Sequence, residues 1–145
     1  MAASSLREPA QAVTSQPQRC SASELRGGLY NQQGATGAQA FDLRIHTAAH
    51  TACTLAGPFR LVRLGPLRKP LPLQGNTHRL RRTLTLLRGW HLEAVLELRN
   101  GCGRHGELFA RFGAILFPLH VPPEGRCDSP GKPPYYGLGA PHIFR

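Results

Sequence analysis

The chain has 145 residues, of which 41% are hydrophobic and 18% are charged. This length suits one domain with a modest core, and its 16 Gly and 13 Pro argue against a helical bundle and favour a turn-rich β architecture. The net charge of +10 fits either a solvated basic surface or a polyanionic partner such as nucleic acid or an anionic cell envelope.

The N-terminal residues 1–19 are rich in Ala, Ser, Gln and Pro and show no apolar periodicity. This composition predicts a disordered arm or a stalk remnant. The arm has no hydrophobic region of a signal peptide, and the sequence has no apolar run long enough to cross a membrane. If the protein is exported, its leader was removed or is encoded upstream. We therefore divide the chain into an arm, 1–19, and a single domain, 20–145.

The first half of the domain predicts a capped turn, a loop and two strands. Ser21 and Glu24 have the spacing of a capping box, but the two glycines that follow would end a helix within two turns. The Asn- and Gly-rich residues 31–37 predict a loop. Residues 41–46 alternate between apolar and polar side chains and predict a half-buried strand, and residues 59–64 predict a second strand.

The second half predicts further strands separated by Gly- and Pro-rich turns. Residues 65–76 are rich in Pro and should run over the surface or along a sheet edge. The segment 78–90 could form a basic amphipathic helix, but its two threonines and its glycine favour a strand. Residues 90–98 alternate strictly, which places Trp90 on the apolar side, in the core between sheets. Two more strands are predicted, over 110–121 and 135–144.

The chain contains four cysteines, Cys20, Cys53, Cys102 and Cys127, and no pair has the spacing of a zinc knuckle or a thioredoxin motif. A metal site would need His46, His50 and Cys53 to share a helix, or Cys102 to act with His105, and the alternating strand before His46 argues against that helix. No local context marks a cysteine nucleophile. An even number of widely spaced cysteines favours a disulfide framework, which requires an oxidising compartment.

Several motifs follow one another in an order that resembles one bacterial family. "CSASELRGGL" is followed by "CTLAGPFRLVRLG", then by "LRGW", "NGC" and "GRCDSP" before a terminal apolar strand. From about Cys20 to Phe144, this arrangement is similar to the bacterial secreted domain known as domain of unknown function 4232. The resemblance implies an all-β fold, an immunoglobulin-like antiparallel β-sandwich with two disulfides, found on exported proteins and lipoproteins. It implies the pairs Cys20–Cys53 and Cys102–Cys127, and no established activity.

Catalytic motifs are missing from the sequence, which has no P-loop, nucleophile elbow, zinc-protease helix or dinucleotide-binding loop. Glu93 and Glu97 are the one close carboxylate pair. On a strand they would lie about 13 Å apart, too far for a typical glycosidase. With His91 and Arg99 they are predicted to form an ordinary solvated strand face. We expect neither catalysis nor a cofactor nor a bound metal.

Two functional classes fit these observations. The first is a monomeric extracellular or cell-surface interaction or structural module with an unknown cell-envelope partner, for which Tyr135 and Tyr136, flanked by Pro and Gly, form a candidate exposed binding loop. The second is a non-specific polyanion binder. Its candidate patch consists of Arg79, Arg81, Arg82 and Arg88. This patch lacks the interleaved aromatic residues of a single-strand platform and matches no DNA-binding motif.

Overall fold

Strands dominate the computed structural model, which describes residues 17–35, 38–77, 83–99, 107–122 and 134–145. In the first half these are β1 (Gln18–Arg19), β2 (Leu25–Ala35), β3 (Ala38–Thr47), β4 (Cys53–Leu55), β5 (Phe59–Leu64), β6 (Pro70–Leu71) and β7 (Gln74–Thr77). In the second half they are β8 (Leu84–Leu86), β9 (His91–Arg99), β10 (Glu107–Phe112), β11 (Ile115–Leu119), β12 (Tyr135–Leu138) and β13 (His142–Phe144). Two short 3₁₀ turns, Ala22–Glu24 and Pro66–Arg68, are the only helical elements among the described residues.

The strands form three sheets that share one hydrophobic core. The large sheet has the order β2-β3-β9-β12-β7, with β13 also pairing with β9. The other two sheets have the orders β11-β10-β5-β6 and β1-β4-β8. Buried residues from all three sheets pack together, so the predicted all-β, sandwich-like architecture is confirmed. Most strand pairs are antiparallel, whereas β1 pairs with β4, and β7 with β12, in parallel.

The centre of the large sheet is the antiparallel pair of β3 and β9. Each strand alternates between buried and more exposed residues, as the period-two patterns predict. The buried residues of the pair include Phe41, Leu43, Ile45, Leu92, Ala94, Leu96 and Leu98. Their alternate neighbours face solvent, so this pair places one side of the sheet in the core and leaves the other side outside.

Several boundaries differ from the sequence-based predictions. Gln18 and Arg19, assigned to the arm, form β1, so the sheets begin two residues before the predicted domain boundary. Much of the predicted loop 31–37 belongs to β2, which continues through a register shift between Tyr30 and Gln33. Asn31 adopts a left-handed φ of 54° at that shift, a conformation that Asn tolerates better than most residues. The asparagine in this segment therefore marks a bulge inside the strand and not a loop.

The predicted last strands are each divided in two. Residues 110–121 fall in a hairpin of β10 and β11 that turns at Gly113, which has a φ of 58°. Residues 135–144 fall in β12 and β13, separated at Gly139–Pro141. In both cases a glycine inside an apolar run marks the break, as expected where the backbone must turn.

Residues 65–76, which are rich in Pro, and residues 78–90, which could have formed a helix or a strand, agree with the predictions where they are described. Within 65–76, Pro70 lies in the two-residue β6 at the edge of its sheet, where a missing N–H costs no ladder hydrogen bond. Within 78–90, Leu84–Leu86 form β8, whereas residues 78–82 lie outside the described residues. No helix in the described part of the chain is long and apolar enough to cross a membrane.

Gly27 permits a close approach between β2 and β3. Its φ is +137°, and a Cβ placed on it would lie 1.9 Å from the carbonyl oxygen of Arg44. The next residue, Gly28, has nothing within 4 Å of an added Cβ. The two adjacent glycines therefore differ in what they contribute, since only Gly27 is required by the backbone.

We predict that Gly27→Ala lowers the free energy of unfolding by about 2 kcal/mol or more, because the added methyl group collides with the β3 backbone and φ is unfavourable. Gly28→Ala is the matched control and should change it by less than about 0.5 kcal/mol. Urea denaturation measures both values. Equal effects at the two positions would contradict this account of Gly27.

Candidate functional site

Cys20 and Cys53 form a disulfide in the structure, with Cα atoms 4.8 Å apart. Both side chains are buried, and β1, directly before Cys20, pairs with the start of β4 at Cys53. The Cys20 backbone N–H also donates to the Thr54 carbonyl oxygen, at 2.8 Å. The implied pairing of these two cysteines is confirmed. Cys102 and Cys127 lie outside the described residues.

Closing this loop is expected to stabilise the fold. The bonded cysteines are 33 residues apart, for which the chain-entropy model gives about 3–4 kcal/mol. The bond also bears on the metal site considered for His46, His50 and Cys53. His46 and His50 are exposed, the Cys53 sulfur is committed to the disulfide, and the described residues contain no group of three or more His, Cys, Asp or Glu side chains that could hold a metal ion.

The two tyrosines proposed as an exposed binding loop lie in strand β12, within the strand predicted over 135–144. Tyr136 is fully buried, and Tyr135 is exposed at 36%, so the prediction is wrong for Tyr136. The reason is the strand alternation, which turns successive side chains to opposite faces. The Arg63 guanidinium lies over the Tyr136 ring, at 5.5 Å. Burial raises the pKa of the Tyr136 hydroxyl, and the charge of Arg63 offsets part of that rise.

The predicted arginine patch is described at one position. Arg79, Arg81 and Arg82 lie outside the described residues, so their proximity stays a prediction. Arg88 is exposed in the turn between β8 and β9, where the Trp90 N–H donates to the Leu87 carbonyl oxygen at 3.0 Å.

The solvent side of the large sheet concentrates exposed apolar side chains. Among the described residues, six large hydrophobic side chains are exposed. Four of them lie on this side of the sheet, and we call them the aromatic face: Tyr30, Val95, Tyr135 and Phe144. They come from four different strands, β2, β9, β12 and β13. The face is therefore assembled by the sheet and has no counterpart in any single sequence motif.

An ion cluster crosses the same side of the sheet. Arg44 on β3 lies between Asp42, at 3.8 Å, and Glu93, at 3.4 Å, and Arg44 and Glu93 are direct cross-strand partners. Glu93 Oε2 also lies 3.2 Å from His91 Nε2, and Asn31 Nδ2 donates to Asp42 Oδ2 at 2.7 Å. The Arg44 Nε atom is buried and makes no hydrogen bond, so its contact with Glu93 is an ion pair of poor hydrogen-bond geometry.

Aromatic rings border this cluster at two points. The Arg44 guanidinium lies over the Tyr30 ring, 5.5 Å from its centroid, a cation–π arrangement. The His91 ring stacks on Phe144 with centroids 5.9 Å apart. The ion cluster is thus continuous with Tyr30 and Phe144, and this part of the surface offers both ring faces for stacking and charges for orientation. Tyr135 lies opposite Arg99 and Phe144 lies opposite His91, which places them about 26 Å apart along β9.

A groove of about 380 Å³ opens beside the cluster, and we call it the Trp90 groove. It is lined by Tyr30, Arg44, His46, Gly89, Trp90 and His91. The prediction that Trp90 packs in the core is wrong, because Trp90 is half-buried in the turn before β9 and lines this groove. The alternation of the strand begins one residue later, at His91.

The solvated strand face predicted around Glu93 and Glu97 is found at Glu97 but not at Glu93. Arg99 and Glu97 form an exposed ion pair at 3.9 Å, which contributes little to stability. Glu93 is less exposed and belongs to the ion cluster. Sequence reasoning missed Tyr30, Phe144 and Arg44 as surface residues of one site. The alternation identified the side on which Arg44 lies, but only the strand pairing brings these residues together.

Comparisons of the whole chain with known proteins found no match. No family model matches the chain, and neither the curated proteins nor the solved structures contain a match to it.

We predict that ionisation of the buried Tyr136 hydroxyl lowers the free energy of unfolding at alkaline pH. Since burial raises its folded pKa above the ordinary value of 10.0, the neutral form is favoured in the folded state. Its contribution to stability is present below pH 10 and is lost as pH rises through the folded pKa. The free energy of unfolding should therefore fall less steeply between about pH 9 and about pH 11 in Tyr136→Phe than in the wild type. Tyr135→Phe, the matched control, should keep the wild-type slope, and identical slopes in all three proteins would refute the prediction.

Proposed function

We propose that the protein is an exported, non-catalytic interaction module that contacts a cell-envelope or extracellular partner through the aromatic face. The observation that carries this proposal is that, of the six large apolar side chains exposed among the described residues, four lie on one side of the large sheet. Exposed apolar side chains scattered singly are normal, whereas their grouping on one surface is typical of interaction sites.

The ion cluster supports binding with a preferred orientation. Arg44 pairs with Asp42 and with Glu93 on the sheet. Charged groups of a partner would therefore meet side-chain charges that are already held in place. Charges at the border of an apolar patch mainly set orientation and association rate, while the aromatic residues supply most of the affinity. The Trp90 groove adds a concave end to this surface, where a side chain or a sugar ring of the partner can stack on Trp90 or Tyr30.

The disulfide supports an oxidising location. Cys20 and Cys53 are bonded and buried, and structural disulfides persist mainly outside the reducing cytosol. We propose an extracellular or cell-surface position in a bacterium, as the motif resemblance implies, and a monomeric state.

The type of sandwich, the family and the second disulfide are part of the same proposal. We propose that the sandwich is immunoglobulin-like, that the chain belongs with domain of unknown function 4232, and that Cys102 bonds to Cys127. The bonded pair at Cys20 and Cys53 supports this, since it is the first of the two pairs that the resemblance implies. Peptide mapping of the oxidised protein tests the second pair directly, and a free thiol at Cys102 would contradict it.

Polyanion binding is the second candidate function. The net charge of +10 favours it, and the exposed Arg88 belongs to the turn whose Gly89 and Trp90 line the groove. Such binding would be electrostatic and would weaken steeply as salt rises, because each contact with a phosphate releases condensed counterions. Binding through the aromatic face would depend much less on salt, since stacking and apolar burial carry it.

We predict that purified protein binds isolated envelopes of the producing organism and that Tyr30→Ala combined with Phe144→Ala weakens this binding at least about tenfold, as expected for truncated aromatic anchors. Sedimentation of the protein with envelopes measures the affinity. Leu67→Ala is the control, since Leu67 is 89% exposed and lies in the turn before β6.

Two results would count against the proposal. One is equal binding by the wild type and the Tyr30/Phe144 double variant. The other is a loss of binding at moderate salt that is the same for all three proteins, which would favour the polyanion function.

A further inference from the structure

Two arginines face each other on the four-stranded β11-β10-β5-β6 sheet. Arg60 on β5 is the direct antiparallel partner of Arg111 on β10, so their Cβ atoms lie roughly 4.5–5.5 Å apart on the same side of the sheet. The inward side is marked by the neighbouring pair Phe59 and Phe112, whose rings stack at 4.7 Å in the core. The two arginines therefore occupy the opposite, outer side.

The strand neighbours of this arginine pair are apolar, and a third guanidinium, that of Arg68, lies over the Phe109 ring, 5.8 Å from its centroid. The next strand places Leu116 opposite Arg111. One row further along the same side lie Val62, Phe109 and Pro118. The acidic residue of β10, Glu107, is four residues from Arg111, which corresponds to about 13 Å along the strand. Within the described residues, neither Arg60 nor Arg111 forms an ion pair.

Among the described residues, only one of the two Nε–H groups of the pair has an acceptor. Arg111 Nε donates to the Gly113 carbonyl oxygen at 2.7 Å, which fixes that guanidinium at the hairpin turn. Arg60 Nε is buried and has no acceptor among the described residues. A buried donor without an acceptor is costly, so the position favours any ligand that supplies an oxygen.

Like charges directly opposite each other on a sheet are destabilising. A pair of lysines or histidines can relieve the repulsion by losing a proton, but guanidinium groups stay protonated in proteins. Both residues are half-buried beside apolar side chains, where water screens the repulsion less than at an open surface. A doubly charged oxyanion between them would neutralise both charges and accept from both side chains.

We propose that Arg60 and Arg111 form a binding site for a tetrahedral oxyanion, a phosphate or sulfate group, either free or carried on a polymer. This site lies on a different sheet from the aromatic face, so it stands or falls independently of the function proposed above.

The test is a titration of the full-length oxidised protein with inorganic phosphate and sulfate, at ionic strength held constant with chloride. The NMR signals of the arginine Nε–H groups report binding. We expect saturable shifts at Arg60 and Arg111, and their loss in Arg60→Gln and in Arg111→Gln. Arg60→Lys keeps the charge but lacks the planar fork, and should bind at least about tenfold more weakly than the wild type.

Arg88→Gln is the matched control, because it removes one exposed arginine elsewhere and should leave the titration unchanged. A parallel titration with linear polyphosphate separates the two sources. Saturation by the inorganic ions indicates a free anion as ligand, and saturation by polyphosphate alone indicates a polymer-borne group. Shifts that never saturate, or that persist equally in both glutamine variants, would overturn the proposal.

A stability measurement keeps the test decisive if the NMR signals are weak. In chloride alone, Arg60→Gln should be at least as stable as the wild type, because it removes a like-charge contact. Added phosphate should raise the melting temperature of the wild type and of Arg88→Gln more than that of Arg60→Gln, since a ligand stabilises only the state that binds it. Equal increases in the three proteins would reflect a general salt effect and contradict the site.

Discussion

The register between β3 and β9 decides which side chains of the large sheet enter the core and which meet solvent. It sets Leu43 opposite Ala94 and Ile45 opposite Leu92 inside the core, and it sets Arg44 opposite Glu93 outside. Because side chains alternate with a period of two, a slip of one residue would turn every one of these side chains to the other face. The same register therefore builds the core and assembles the ion cluster beside the aromatic face.

The two other sheets pack against the core that this pair builds. In one of them the disulfide at Cys53 holds the N-terminal β1 against β4. In the other, β10 pairs with β5 and brings Arg60 and Arg111 together. The two candidate binding surfaces are thus separate products of strand pairing. One combines aromatic rings with balanced charges, and the other concentrates positive charge in apolar surroundings.

The sequence predicted features that depend on local pattern. Alternation identified the core residues of β3 and β9, and the motif order identified the bond between Cys20 and Cys53. It failed where pairing between distant strands decides the outcome. Tyr136 was expected to be exposed because Pro and Gly flank it, but its pairing with Leu98 on β9 turns it into the core.

The functional surfaces were harder to predict for the same reason. Tyr30, Val95 and Phe144 are far apart in the chain and meet only through the sheet, and no local pattern marks Arg60 as the partner of Arg111. The glycine- and proline-rich segments gave opposite outcomes. Pro70 lies at a sheet edge as expected, whereas Asn31 continues a strand through a bulge, because a left-handed residue can bend a strand as well as end it.

We propose above that the aromatic face is the surface that meets the partner. Hydroxyl-radical footprinting of the free protein and of the protein bound to cell envelopes tests this proposal, since oxidation of each side chain reports its solvent exposure. Tyr30, Tyr135 and Phe144 should become protected on binding while Leu67 is oxidised as before. Protection of Leu67 with unchanged oxidation of the aromatic face would contradict it.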